Sequence, residues 1–77
     1  MKTVQISLNS IDKVKSFVND ISKFDFDFDL VSGRYVIDAK SIMGIFSLDL
    51  SKPLILNADT DDEELIKETF ADFIGEV

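Results

Sequence analysis

The chain has 77 residues, 45% of them apolar, with seven phenylalanines and no cysteine, which bounds it to one domain (residues 1–77) near the lower size for an unaided core, without disulfides and expected in a reducing cytoplasm. Fifteen acidic residues against eight basic ones leave a net charge of −7, which excludes the basic face that nucleic-acid binding uses to displace phosphate counterions. No apolar run approaches the roughly 20 residues that span a bilayer, and Met1-Lys2 leads straight into polar–apolar alternation, so neither membrane contact nor a signal peptide is expected.

Val4, Ile6 and Leu8 alternate with Thr3, Gln5 and Ser7, the period-2 pattern of a half-buried strand over 3–8. Ser10 is placed to cap a helix over 11–23, whose Ile11, Val14, Phe17, Val18 and Ile21 recur at helical spacing. Phe24, Phe26, Phe28 and Leu30 alternate strictly with Asp25, Asp27 and Asp29, predicting a strand with one solvated face and hence an antiparallel sheet. Ser32-Gly33 supplies a positive-φ turn, and Arg34 to Asp38 returns as the next strand. Ser41 to Leu48 reads as a short helix capped by Ser41, with Gly44 inside it at a cost of about 1 kcal/mol. Pro53 opens a strand to Asn57, a tolerated place for a residue without an N–H. Thr60-Asp61-Asp62-Glu63 reads as a capping box starting a helix over 61–74, with Leu65, Ile66, Phe70, Phe73 and Ile74 buried. The element order is β-α-β-β-α-β-α, an α+β chain.

Three local patterns invite a functional reading. Asp25-Asp27-Asp29 opens like a calcium loop, but the positions that need glycine and glutamate hold Leu30 and Val36. On a strand the aspartates also stand roughly 6.5–7 Å apart, too far to share an ion, so no metal site is expected. Ser47-Leu48-Asp49-Leu50 in a small acidic chain resembles the phosphopantetheine attachment site of acyl carrier proteins. That motif has aspartate immediately before the serine, where this chain has Phe46, and its proteins are all-helical. With no histidine and no cysteine, a Ser/His or Cys/His nucleophile pair is excluded. No carboxylate sits in an apolar context that would raise its pKa, so neither catalytic residues nor a cofactor is expected.

Ala39-Lys40-Ser41-Ile42-Met43-Gly44-Ile45-Phe46-Ser47-Leu48, with Ser22-Lys23-Phe24 upstream, resembles the regulatory-serine segment of the HPr family, the histidine phosphocarriers of the bacterial sugar phosphotransferase system. The element order matches across nearly the whole chain. The resemblance implies an open-faced β-sandwich, with four antiparallel strands in the order 1-4-2-3 and three helices on one face. It implies no enzyme activity of its own, and protein partners such as a serine kinase or a transcriptional regulator.

In that family the phosphoacceptor histidine precedes the first helix, beside an arginine, where free backbone N–H groups favour an anion. Here the loop is about three residues shorter and reads Asn9-Ser10-Ile11-Asp12-Lys13, with Ser10 near the histidine's place and Asp12 near the arginine's. A phosphoserine ester lacks the transfer potential of phosphohistidine, and a carboxylate reverses the local electrostatics, so the carrier step is expected to be lost. Ser41 aligns with the serine that a dedicated kinase phosphorylates in Gram-positive HPr and in its histidine-lacking paralogue. Its other reading is a plain helix cap. Ile42, Met43 and Phe46 are either the family's exposed docking patch or part of the core. A regulatory or partner-binding protein is therefore expected. The alternatives are a diverged stand-alone domain that binds something unrelated to sugar transport, and an acyl-carrier-type protein.

Overall fold

A computed structural model describes residues 2–74. Its elements are β1 (Lys2–Ile6), α1 (Ile11–Ile21), β2 (Phe28–Ser32), β3 (Tyr35–Asp38), α2 (Ile42–Phe46), β4 (Leu54–Ala58) and α3 (Glu63–Thr69). The strands form one antiparallel sheet in the order β1-β4-β2-β3. Strand alternation decides which side chains meet: Val4 and Leu30 both register with Leu56, Ile6 with Leu54, and Phe28 with Ala58. Those residues make one apolar face. Val14, Phe17 and Ile21 of α1, Ile45 of α2, and Ile66 of α3 complete the core with Phe70 and Phe73. Phe70 sits among other rings, with centroids 5.6 Å from Phe17, 5.7 Å from Phe28 and 6.4 Å from Phe73. No polar or charged residue is buried among those described.

The opposite face of the sheet carries Thr3, Gln5, Asp29, Val31, Val36, Asp38, Ile55 and Asn57 by the same alternation. Thr3 Oγ1 donates to Asn57 Oδ1 at 2.8 Å across the β1–β4 ladder. Asp29 and Asp38 stand opposite one another, and with Asp27 they border a shallow open groove of about 380 Å³. Gly33 has φ +60° and, with Arg34, forms the two-residue loop between the paired Ser32 and Tyr35. Positive φ at the first loop position is where such a hairpin requires glycine.

Several expected boundaries shift, each for a local reason. The strand expected from residue 24 begins at Phe28, because the β4 ladder runs out at Ala58: beyond it the Asp27 carbonyl still accepts the Asp59 amide at 2.9 Å, and residues 24–26 have no strand partner. Upstream, the Lys23 and Phe24 amides are engaged in closing α1, donating to Asp20 and Ile21. The packing alternation survives without the strand: Phe24, Phe26 and Phe28 lie ring to ring with centroids 5.0–5.8 Å apart. Helix α1 ends at Ile21, with Ser22 as its C-cap. Ile11, expected on its buried face, is exposed at the first position of the helix.

Helix α3 is shorter than the span 61–74 at both ends. Its cap is Asp62, whose carboxylate accepts the Leu65 amide at 3.1 Å, and Glu63 is its first residue. Thr60 instead accepts the Asp62 amide in the preceding turn, so the expected capping box does not form. Past Phe70 the chain turns, and Ile74 bridges Ile6 of β1. Phe73 is still buried and Ile74 half-buried, so the apolar pattern holds beyond the helix that was expected to carry it.

Candidate functional site

The candidate site is built on α2. Ser41 has extended backbone (φ −95°, ψ 102°), and its Oγ accepts the Gly44 amide at 3.2 Å, satisfying one N–H that the helix cannot. Immediately before it, Asp38 Oδ1 accepts the Lys40 amide at 2.9 Å, and the Ser41 amide donates to the Asp38 carbonyl at 3.0 Å. This tight turn delivers the chain from β3 into α2. Lys40 Nζ reaches back to the Phe24 carbonyl at 3.2 Å, tying the turn to the end of α1. Space at Gly44 is tight: a Cβ there would lie 3.2 Å from Ser41 Oγ and 3.3 Å from the Ile37 Cδ1 methyl.

Of the apolar residues on α2, only Ile45 is buried. Met43 is 78% exposed, Phe46 43% and Ile42 36%. A five-residue helix has room for one inward face, so these three side chains form a surface patch on the helix that Ser41 begins. Ser41 itself is exposed, and among the described residues its hydroxyl is held only by the cap bond.

At the start of α1, Ser10 also acts as a cap, with φ −148°, ψ 158° and its Oγ accepting the Lys13 amide at 3.2 Å. Asp12 places a negative charge in the first turn, where the helix dipole favours an anion, with Lys13 next to it in the chain. Asn9 and Lys13 border a cavity of about 700 Å³ along the edge of β1, floored by Val4, Ile6 and Phe73. Ser10 and Ser41 lie at the starts of different helices, and no hydrogen bond links them.

Ser47 stands at the opposite end of α2 from Ser41. It is the C-cap, its Oγ donating to the Gly44 carbonyl, whereas an acyl-carrier attachment serine begins its helix. Asp49 is held below its ordinary carboxylate range by hydrogen bonds from the Ser51 hydroxyl and then the Ser51 amide, with help from Lys52. It shapes the loop into β4. Among the described residues no three acidic side chains converge on a common metal position, and no helix is long and apolar enough to cross a membrane.

Sequence reasoning missed the exposure of Ile11, and of Tyr35 and Val36 in β3. For β3 the signal was present: in the order β1-β4-β2-β3 it is an edge strand, and edges leave more of each side chain uncovered.

Compared with known proteins, the chain matches no protein-family profile and no curated protein. Solved structures do match it. One is HPr-C-His from Thermoanaerobacter tengcongensis, 33% identical, with a TM-score of 0.76 over 94% of this chain and 89% of that one. Another is the phosphocarrier protein HPr from Bacillus anthracis str. Ames, 27% identical, with a TM-score of 0.70 over 96% of this chain and 94% of that one. Strand order, helix placement and identity over nearly the full length of both proteins agree, and the chain belongs to the HPr family.

Proposed function

We propose that this chain is a non-catalytic, cytoplasmic relative of the sugar phosphotransferase proteins that works by binding protein partners and does not carry a phosphoryl group. The single observation that supports this reading is the exposed Ile42, Met43 and Phe46 patch on the helix that the accessible Ser41 caps. An apolar patch of this kind is a docking surface in the making, and its occupancy is open to control by charge at its border. Phosphorylation of Ser41 adds about −1.5 to −2 charge there, and a serine kinase is the partner that would install it. A transcriptional regulator is a fitting reader of the modified face.

The carrier step is absent in this reading for chemical reasons. Transfer needs a phosphoramidate of high potential, and the chain contains no histidine to form one. Ser10 stands near the acceptor's place and would give a stable ester. Asp12, beside it, repels the phosphate that an arginine would hold.

The test is capture of phosphotransferase-system proteins and their regulators from the chain's own host, using the native protein and Met43→Asp as matched baits. Partners that bind the native chain and are lost with Met43→Asp support the reading. Partners retained equally by both baits contradict it, because the docking surface would then lie elsewhere.

A further inference from the structure

The outer edge of β3 combines three features that the proposed docking helix does not use. The strand is uncovered, with Tyr35 66% and Val36 62% exposed. Its hydrogen-bonding groups have a definite direction. Ser32 and Tyr35 flank a two-residue loop, and residues so placed exchange their backbone bonds with each other. Alternation then directs Tyr35 and Ile37 toward β2 and Val36 and Asp38 outward. The Ala39 amide, donating to the Phe28 carbonyl at 3.0 Å, confirms the parity. The N–H and C=O of Val36 are therefore presented together at the open edge.

The charges at this edge are complementary to themselves. Arg34 lies two residues before Val36 and Asp38 two residues after it, all three exposed. Among the described residues Arg34 makes no ion pair. If two copies meet antiparallel about a two-fold axis through Val36, the two Val36 residues exchange a pair of backbone hydrogen bonds. Arg34 of each copy then faces Asp38 of the other. The same register continues an apolar ribbon across the uncovered face, since Val36 pairs with Val31 and Val31 with Ile55 within each copy. Natural edge strands are commonly guarded by like charges that repel a second strand. Here a cation and an anion are spaced symmetrically about the one residue whose backbone is free to pair.

We propose that β3 is a self-association edge, through which two copies of this chain join their sheets into one eight-stranded sheet centred on Val36. The contact is narrow, so the dimer forms at high local concentration and dissociates on dilution.

The full-length chain is tested by sedimentation across a wide concentration series, with amide exchange measured alongside. The expected result is a rise from one chain to two, with the Val36 amide gaining protection as the dimer forms. The Ile37 amide, already paired to β2, is protected throughout. Arg34→Asp and Asp38→Arg each place like charges opposite one another twice per dimer and weaken association by about tenfold or more. An equimolar mixture of the two restores it, because both contacts become complementary again. Arg34→Asp touches no partner within the chain, so it decides the matter even if Asp38→Arg disturbs the Lys40 turn. A single-chain mass at every concentration overturns the proposal. So does association that Arg34→Asp leaves unchanged, or a mixture of folded variants no stronger than either alone.

Discussion

Ser41 carries two roles whose energetics can be separated by substitution. Ser41→Ala removes the oxygen that accepts the Gly44 amide. Loss of such a cap costs about 0.5–2 kcal/mol, and the 3.2 Å separation places this one toward the lower end. About 0.5–1 kcal/mol is expected. The unfolding entropy near the melting point is about 2.1 cal/mol/K per residue. Over 77 residues that gives about 0.16 kcal/mol/K. The alanine variant should therefore melt about 3–6 °C below the parent. Ser41→Asp keeps an oxygen in the capping position, as aspartate ranks with serine at N-caps, and should melt within about 2 °C of the parent. Thermal melts followed by circular dichroism at neutral pH read both values. If Ser41→Asp falls as far as Ser41→Ala, the site does not tolerate an anion and a phosphate switch there has no structural basis. If Ser41→Ala leaves the melt unchanged, the cap bond contributes nothing and the local account of α2 is wrong.

Phe70→Ala removes the ring that packs between Phe17, Phe28 and Phe73 and should cost about 3–5 kcal/mol. A domain of this length has only about 4–12 kcal/mol in total, so urea melts should show a largely lost or barely cooperative transition. Glu63 is held below its ordinary value of 4.5, first by its hydrogen bond from Lys67, then by the charges of Lys67 and Lys2. A lowered folded-state pKa stabilises above the unfolded value and is lost as pH falls through the folded one. Parent and Glu63→Gln should thus differ in stability at pH 7 and converge on acidification below pH 4.5, and a gap that widens toward acid would contradict the sign. Gly44→Ala gains helix propensity but presses on Ser41 Oγ and the Ile37 methyl, so its stabilisation should fall short of the about 1 kcal/mol available in an open helix. A full gain would show that the turn has slack. Met43→Asp should shift the melt negligibly, since the side chain is largely in water; a large loss would mean the patch is structural.

Much of the fold was legible because its signals are local and repeated. The alternation at Val4 and Ile6, and the helical spacing of Val14, Phe17 and Ile21, each follow from burying one face. The failures occur where a neighbour decides. Phe24 to Asp27 alternates as well as any strand, but pairing depends on how far β4 extends, which lies in another part of the chain. Thr60 and Asp62 are both competent caps, and the choice between them depends on where α3 meets the core through Ile66. Ile11 satisfies the periodicity of α1 yet is exposed at its first position, and periodicity alone does not say how far along a helix the core cover extends. At the candidate site, Ser41 was readable as a cap from sequence. The exposure of Ile42, Met43 and Phe46 was not, because a short apolar helix looks the same buried or bare until its packing partners are placed.

The claim that this HPr-family chain is controlled at Ser41, and does not relay phosphate at Ser10, is tested by intact mass and peptide mapping under two phosphate donors. With phosphoenolpyruvate and enzyme I the mass should not change, in the native chain or in Ser10→His, where Asp12 still opposes the phosphate. With ATP and the family's serine kinase, one acid-stable phosphate should appear, and it should map to Ser41. An acid-labile adduct from phosphoenolpyruvate, or a kinase-derived phosphate on Ser10 or Ser47 in place of Ser41, would contradict the account.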